Sequence, residues 1–261
     1  MPTRRPPSGD AGGALRGQFP KPAVGNPPVM GFSVHDEFIR LGSAGDYGDT
    51  RLTLTNIGAT ATITQTTPTT SLETGIMKIS TGVMSANEGG GLGQPVAVWG
   101  AGPAVGAVYM VKLRSVDTAD VFVWSGFAGS VATVNTADTT TFIGFRGLGG
   151  GDWEAVVKTT SGGGNEEVVS LGTLDATFQT FGFRYIAAVG RGSSAVAYGV
   201  QFFTVDADTD VGPYFTDVGD LITTNIPTGA LLLVPLAIVT VDGSDKAAEI
   251  DYYTLGGKTR R

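Results

Sequence analysis

The chain has 261 residues, of which 41% are apolar, only 16% are charged and 40 are glycine. This composition predicts one folded domain with many turns, since all-β sandwiches commonly reach this length, and no segment repeats apolar residues at helical spacing. There is no cysteine, which excludes disulfide bridges and thiolate metal sites.

The net charge of −7 is unevenly distributed along the chain. Residues 1–34 carry four cationic side chains against one carboxylate, and the last four residues carry three cations, which leaves a net charge of −13 for the remainder. We expect no nucleic-acid partner, because binding to phosphate backbones needs clustered Lys and Arg. We also expect no membrane partner, because the longest apolar run, Leu231 to Val239, is far too short to span a bilayer.

The first segment, residues 1–34, is rich in proline and glycine, which favour extended and turn conformations over helix. Its basic start leads into prolines instead of an apolar core, so it does not have the pattern of a signal peptide. Apolar residues spaced through it predict an N-terminal anchoring arm, and a solvated tail is the alternative. The anchoring residues would be Arg4, Arg5, Arg16, Phe19 and Lys21.

From His35 onward, short apolar runs alternate with Gly, Asp, Asn, Ser and Thr, which predicts many antiparallel strands. We therefore expect residues 35–257 to form a two-sheet antiparallel jelly-roll sandwich, followed by a basic tail at 258–261. The clearest predicted strands are Ala107–Arg114, Asp120–Phe127, Thr141–Arg146, Trp153–Lys158, Glu166–Leu171, Thr180–Val189, Ala197–Val205, Leu231–Val241 and Glu249–Leu255.

Two glycine runs, Gly89–Gly91 and Gly147–Gly151, invite a phosphate-binding interpretation. Neither is followed by a helical pattern or by the Gly-Lys-Ser/Thr ending of a P-loop. We therefore interpret both runs as hairpin loops and expect no nucleotide cofactor.

Residues that could perform catalysis are few. The only histidine is His35, there is no Gly-x-Ser-x-Gly elbow, and a Ser-His-Asp site is therefore not expected. Two pairs of acids, Asp152 with Glu154 and Glu249 with Asp251, are spaced to share a strand face, as a glycosidase would need. No Glu-x-Asp-x-x-Glu strand is present, so a solvated strand face is the preferred interpretation, and we expect no catalytic residue.

An acidic turn provides the one candidate metal site. Asp206, Asp208 and Asp210 alternate, as carboxylates do where calcium is bound. Against an EF-hand loop, Val211 stands where that motif has glycine and Asp217 where it has glutamate. An acidic hairpin loop without metal is therefore the alternative to a calcium site.

The three tryptophans, Trp99, Trp124 and Trp153, are the candidate ligand-binding residues, as platforms on which a sugar ring could stack. The alternative is burial, since large aromatic side chains dominate β cores. Strands with apolar residues on both faces, such as Val121–Trp124, predict either burial on two sides or an intersubunit surface, and we expect a homo-oligomer.

The body resembles the concanavalin A-like lectin/glucanase jelly rolls of tailed-bacteriophage virion proteins. The resemblance spans residues 36–256 and includes Asp36-Glu37-Phe38, the segments Leu72–Gly82 and Tyr198–Asp206, and the closing Glu249–Tyr253. It implies a capsid-decoration or fibre protein on the virion surface, held by its arm to a major capsid or other virion protein. A carbohydrate- or receptor-binding module of a tail fibre is the alternative, followed by a glycoside hydrolase.

Overall fold

Alternation of apolar and polar side chains builds the strands of this protein, as strand β7 (Val108–Ser115) illustrates. Tyr109, Val111 and Leu113 are completely buried, whereas Lys112 and Arg114, which alternate with them, are half-buried. Successive side chains of a strand point to opposite faces, so β7 presents one apolar face to the interior and one charged face outward.

The computed structural model describes residues 31–36, 38, 52–58, 61–65, 75–83, 85–94, 99–100, 108–130, 141–159, 165–186, 199–206, 214–227 and 229–258. All of them belong to one compact unit, Gly31–Arg261. Besides β7, the strands are β1 (Gly31–Asp36), β2 (Thr53–Ile57), β3 (Thr62–Gln65), β4 (Met77–Ser80), β5 (Glu88–Gly93), β6 (Trp99–Gly100), β8 (Val121–Ala128), β9 (Phe142–Leu148), β10 (Asp152–Lys158), β11 (Glu166–Thr173), β12 (Gln179–Ile186), β13 (Gly199–Asp206), β14 (Tyr214–Ile222), β15 (Ala230–Thr240) and β16 (Ala247–Lys258).

The strands form two antiparallel sheets of eight. The first sheet has the order β14-β13-β12-β7-β16-β4-β3, with β1 paired to the far end of β16. The second has the order β11-β10-β9-β8-β15-β5-β2, with β6 paired to the start of β15. Because neighbours such as β7 and β16 are far apart in sequence, most pairings are non-local, as expected of a jelly roll.

The core lies between the two sheets and is rich in aromatic rings. Phe145 of the second sheet stacks on Phe181 of the first at a centroid distance of 5.3 Å, and Tyr109 meets Phe127 edge-on at 5.5 Å. A buried hydrogen-bond chain also joins the sheets: the Tyr109 hydroxyl contacts Ser125 Oγ at 2.9 Å, and Ser125 Oγ donates to the Pro235 carbonyl at 2.7 Å.

Strand β5 corrects the interpretation of Gly89–Gly91 as a hairpin loop. These glycines lie in the second sheet between β15 and β2, and all three are buried. A Cβ added to Gly89 would stand 1.9 Å from the Ile238 carbonyl oxygen, so the neighbouring strand passes where a side chain would be. Close backbone approach, not turn formation, therefore requires glycine at this position.

All nine predicted strands are confirmed, with small differences at their ends. The Gly147–Gly151 run does form a hairpin, because residues 149–151 connect β9 to β10 and Gly151 N donates to Leu148 O at 2.9 Å. Strand β1 begins at Gly31, inside the segment predicted as the arm, and β2 to β6 and β14 were not among the predicted strands. The described residues include no helix that could cross a membrane.

Candidate functional site

The outer face of the second sheet carries a cluster of four charged side chains, which we call the Arg146 cluster: Arg146, Glu154, Lys158 and Glu166. Three adjacent strands contribute to it. Arg146 lies on β9, Glu154 and Lys158 on β10, and Glu166 on β11. Register brings them together, since Glu154 is paired with Arg146 and Lys158 with Glu166, and paired residues share a face.

Arg146 is the centre of this cluster and is only 6% exposed. Its Nε and Nη2 donate to Glu154 Oε2 at 2.8 and 2.5 Å. Its Nη1 lies 2.9 Å from Glu166 Oε1, and Glu166 Oε2 is in turn 3.5 Å from Lys158 Nζ. Two cations thus balance two carboxylates, and the buried charges are compensated within the cluster.

Two buried nitrogen donors of this face make no hydrogen bond of suitable geometry. Arg146 Nη1 is near Glu166 but makes no hydrogen bond with suitable geometry, and the indole Nε1 of Trp124 makes none either. The two side chains are neighbours, with the guanidinium 5.5 Å from the Trp124 ring centroid. Since buried donors are normally satisfied, these two nitrogens are exceptions among the described residues.

A small-residue, apolar floor continues from the Arg146 cluster. Trp124 packs edge-on against Phe142 at 5.0 Å, and Val156, Val234 and Ala237 belong to the same group. Gly126 and Gly144 face each other across β8 and β9 in this region. A Cβ on Gly144 would lie 2.1 Å from the Ser125 carbonyl oxygen, so glycine at this position lets the two strands approach each other closely.

The other predicted acid pair lies on the outer face of the first sheet. Glu249 and Asp251 both point away from the core, as their spacing predicted, on either side of the buried Ile250. Each binds its own cation on β7: Arg114 reaches Glu249 at 2.6 Å, and Lys112 reaches Asp251 at 2.7 Å.

The pairing of these carboxylates limits their chemistry. A two-carboxylate glycosidase needs one protonated acid and one free carboxylate on opposite sides of the bond to be cleaved. Glu154 and Glu166 are bridged by one guanidinium, while Asp152 is exposed and accepts a hydrogen bond from Ser170 at 3.1 Å. Glu249 and Asp251 are each held by a cation, so both predicted pairs are engaged in structural contacts.

The tryptophans lie in three different environments. Trp153 is completely buried in the core and packs against Phe181 at 5.3 Å, so its interpretation as a stacking platform is wrong: its position faces the opposite sheet. Trp124 lies on the outer face, but it is 3% exposed and has no open ring face. Trp99 lies in β6, where its backbone pairs with Leu231, and its side chain is outside the described set.

The predicted calcium site is only partly within the described residues. The backbone of Asp206 ends β13, but its side chain and all of Asp208 and Asp210 lie outside them. Asp217, in the same acidic segment, is a strand residue whose carboxylate binds Arg184 at 2.6 Å. Within the described ranges, no three acidic or histidine side chains are grouped as a metal site would require.

The predicted arm residues Arg4, Arg5, Arg16, Phe19 and Lys21 lie outside the described residues. His35 lies in β1, of which only the backbone is described.

The sequence analysis considered Glu154 but missed the other members of the cluster, Arg146, Lys158 and Glu166. The available signals were the cations that end the apolar runs Thr141–Arg146 and Trp153–Lys158, because a charge at a buried strand position needs a partner.

The strand order defines a jelly-roll sandwich of two antiparallel sheets, and its fold is similar to that of glucanases. Among solved structures, a protein of unknown function from Shewanella oneidensis MR-1 matches with a TM-score of 0.55 at 13% identity, over 100% of this chain and 99% of that one. The Bacillus licheniformis β-glucanase matches with a TM-score of 0.50 at 16% identity, over 88% and 98% of the two chains.

A β-1,3-1,4-glucanase (lichenase) derived from a mouse hindgut metagenome matches with a TM-score of 0.50 at 14% identity, over 85% of this chain and 98% of that chain. No protein-family model matches this chain, and no curated protein matches it. At these identities the likeness extends to the fold alone.

Proposed function

We propose that this chain is a non-catalytic β-sandwich that acts by binding, as a structural accessory protein on the surface of a tailed-phage virion. The observation that carries the non-catalytic part is the Arg146 cluster. In it a single buried guanidinium occupies the two carboxylates, Glu154 and Glu166, that lie beside the apolar floor of the second sheet. Hydrolysis by this pair would require breaking two ion pairs of a nearly buried arginine.

The virion assignment draws support from the division of the chain into a basic, proline-rich segment and an acidic sandwich. Residues 1–34 carry a net charge of +3, and the sandwich carries most of the negative charge. An arm of this kind suits attachment to a particle, with the sandwich displayed outward. The partner would be a major capsid or other virion protein with an acidic and apolar groove.

The hydrolase question is tested by incubating the full chain with mixed-linkage and β-1,3-glucans and measuring released reducing sugar. A lichenase on the same substrates is the positive control. We expect no release above that of a heat-denatured sample. Release that disappears in Glu154→Gln or Glu166→Gln would overturn the proposal and assign the carboxylates a catalytic role.

The attachment is tested by deleting residues 1–30, which leaves β1 intact because it begins at Gly31. The shortened chain should keep its β-sheet circular dichroism spectrum and melting temperature but lose binding to virions stripped of the protein. The matched variants are Arg4→Ala with Arg5→Ala, which tests charge, and Phe19→Ala, which tests the apolar anchor. Full occupancy by the shortened chain would refute the anchoring role.

A carbohydrate-binding module is the second candidate, favoured by the likeness of the fold to that of two glucanases. A neutral glycan would be the ligand at the outer face of the second sheet, because the Arg146 cluster as a whole carries no net charge. A glycan array followed by calorimetry would test this function. Binding that is retained when Trp124 is changed to Phe would exclude this face as the glycan site.

A further inference from the structure

The edge strands β11 and β14 lie side by side at one margin of the sandwich. Val169 of β11 packs directly over Gly219 of β14, and Glu167 accepts hydrogen bonds from Thr224 and Asn225 at 2.8 and 3.3 Å. Strand β11 ends the second sheet and β14 ends the first, and within the described ranges neither pairs with a further strand. Unpaired strand edges are templates for another strand unless they are protected.

The direction of the free peptide groups of β11 follows from its pairing with β10. Thr159 N donates to Asn165 O at 3.4 Å, so this pair is a hydrogen-bonded one. Hydrogen-bonded and non-hydrogen-bonded pairs alternate in an antiparallel ladder, which directs the peptide groups of Glu167 and Val169 toward β10. The intervening residues Glu166, Val168 and Ser170 therefore direct theirs to the free edge.

Exposed apolar side chains mark the same margin. Four large apolar side chains of the described residues are exposed, and the two that lie within strands are Val168 of β11, at 44%, and Phe215 of β14, at 39%. Strand β11 contains no Lys, Arg or Pro, the residues that commonly protect an edge from pairing.

We propose that two copies of this chain associate through β11, antiparallel, about a twofold axis at Val168. In this register Val168 faces Val168 of the second copy, Glu166 faces Ser170 of the second copy, and Glu167 faces Val169 of the second copy. No carboxylate faces another, so the edge is complementary to itself, as an isologous interface requires.

Strand β14 is a poorer edge for the same purpose. Asp217 and Asp220 lie on either side of its centre, Val218. Gly219 between them has a φ of +68°, and the pairing of β14 with β13 shifts register at Val200/Phe202. Irregularities of this kind blunt an edge. The second copy is therefore placed on β11.

Association through β11 would make one continuous sheet from the second sheets of both copies. The Arg146 cluster would then extend toward the axis, because Glu166 belongs to both the cluster and the interface. This inference does not depend on the virion assignment or on the absence of hydrolysis, so the experiments on those proposals leave it unaffected.

The mass of the full chain in solution is the first test. Multi-angle light scattering and sedimentation over a concentration series should give twice the chain mass of 26.8 kDa. Val168→Lys should give the monomer mass, because it sets two ammonium groups opposite each other at the axis. Val83→Lys is the matched control: Val83 is 89% exposed but lies outside the strands, so this variant should remain a dimer. A monomeric wild-type chain overturns the proposal.

Cysteine cross-linking tests the register even if Val168→Lys fails to fold. The chain has no cysteine, so any disulfide must come from the introduced residue. In Val168→Cys the two Cα atoms would form a hydrogen-bonded pair about 5.5 Å apart, within the range that a disulfide spans. Oxidation should give a covalent dimer. In Ser170→Cys the two residues would be four positions, about 13 Å, apart and should stay unlinked. Equal or preferential linking through residue 170 overturns the register.

Discussion

The buried hydroxyl chain between the sheets allows one stability prediction to be worked out in detail. Tyr109 and Ser125 are both completely buried, and Ser125 Oγ joins the Tyr109 hydroxyl, at 2.9 Å, to the Pro235 carbonyl, at 2.7 Å. The bulge of β15 between Val234 and Ala237 leaves the Pro235 carbonyl out of the regular pairing with β8. Ser125 is therefore the connection on which both other groups depend.

Ser125→Ala should be the most damaging change in this chain of hydrogen bonds. It leaves two buried polar groups without a partner, and since each costs about 1–3 kcal/mol, we expect the free energy of unfolding to fall by about 2–6 kcal/mol. Tyr109→Phe removes a hydroxyl but lets Ser125 keep its bond to Pro235, so it should cost only about 1 kcal/mol.

The double variant should reverse the sign of the Tyr109→Phe effect. In the Ser125→Ala protein, the additional change Tyr109→Phe removes the stranded hydroxyl and should restore about 1–2 kcal/mol. Urea unfolding of the four proteins, followed by tryptophan fluorescence, measures this cycle. Additive losses would show that the hydroxyl finds another partner, and the account of the network would be refuted.

The remaining predictions concern pH, packing and charge. Burial raises the pKa of Tyr109 above its ordinary value of 10.0, so above about pH 10 the folded state keeps a proton that the unfolded state releases. The free energy of unfolding should therefore fall above about pH 10, and Tyr109→Phe should make this fall smaller. Gly89→Ala should lower the free energy of unfolding by about 1–3 kcal/mol or more, because the added methyl group forces β5 away from β15. At Gly229 a methyl group would meet nothing within 4 Å, so Gly229→Ala should leave thermal unfolding unchanged. Arg146→Gln should cost about 3–5 kcal/mol by leaving buried carboxylates unpaired, whereas Arg184→Gln, which breaks a more exposed pair, should cost less than about 1 kcal/mol in the same assay. Equal losses for the two glycine variants, or for the two arginine variants, would contradict these assignments.

The two-residue alternation of apolar and polar side chains in the sequence was sufficient to predict the nine strands that were proposed. Alternation in segments such as Val108–Ser115 reports burial of one face, and this local pattern survives in the folded protein because a strand has only two faces. The hairpin at residues 149–151 was predictable for a similar reason, since its turn requires glycine locally and Gly150 has a φ of +79°.

The glycines of β5 could not be assigned in the same way. Glycine permits both a turn and a close approach of two backbones, and the sequence around Gly89 does not distinguish these uses. The neighbour that requires glycine there, Ile238, is distant in sequence, and β15 and β5 become neighbours only in the completed sheet.

The sequence by itself determined that this protein is an all-β sandwich with a chemically distinct basic N-terminal segment, because composition and the two-residue period are properties of the chain. Only the tertiary structure decided which faces of the strands meet. It placed Trp153 in the core, joined Arg146 to Glu154 and Glu166, and put β11 at the end of the second sheet among the described strands. The physical reason is that strand order and register bring together residues from distant segments, and no local pattern specifies which strand will be the neighbour.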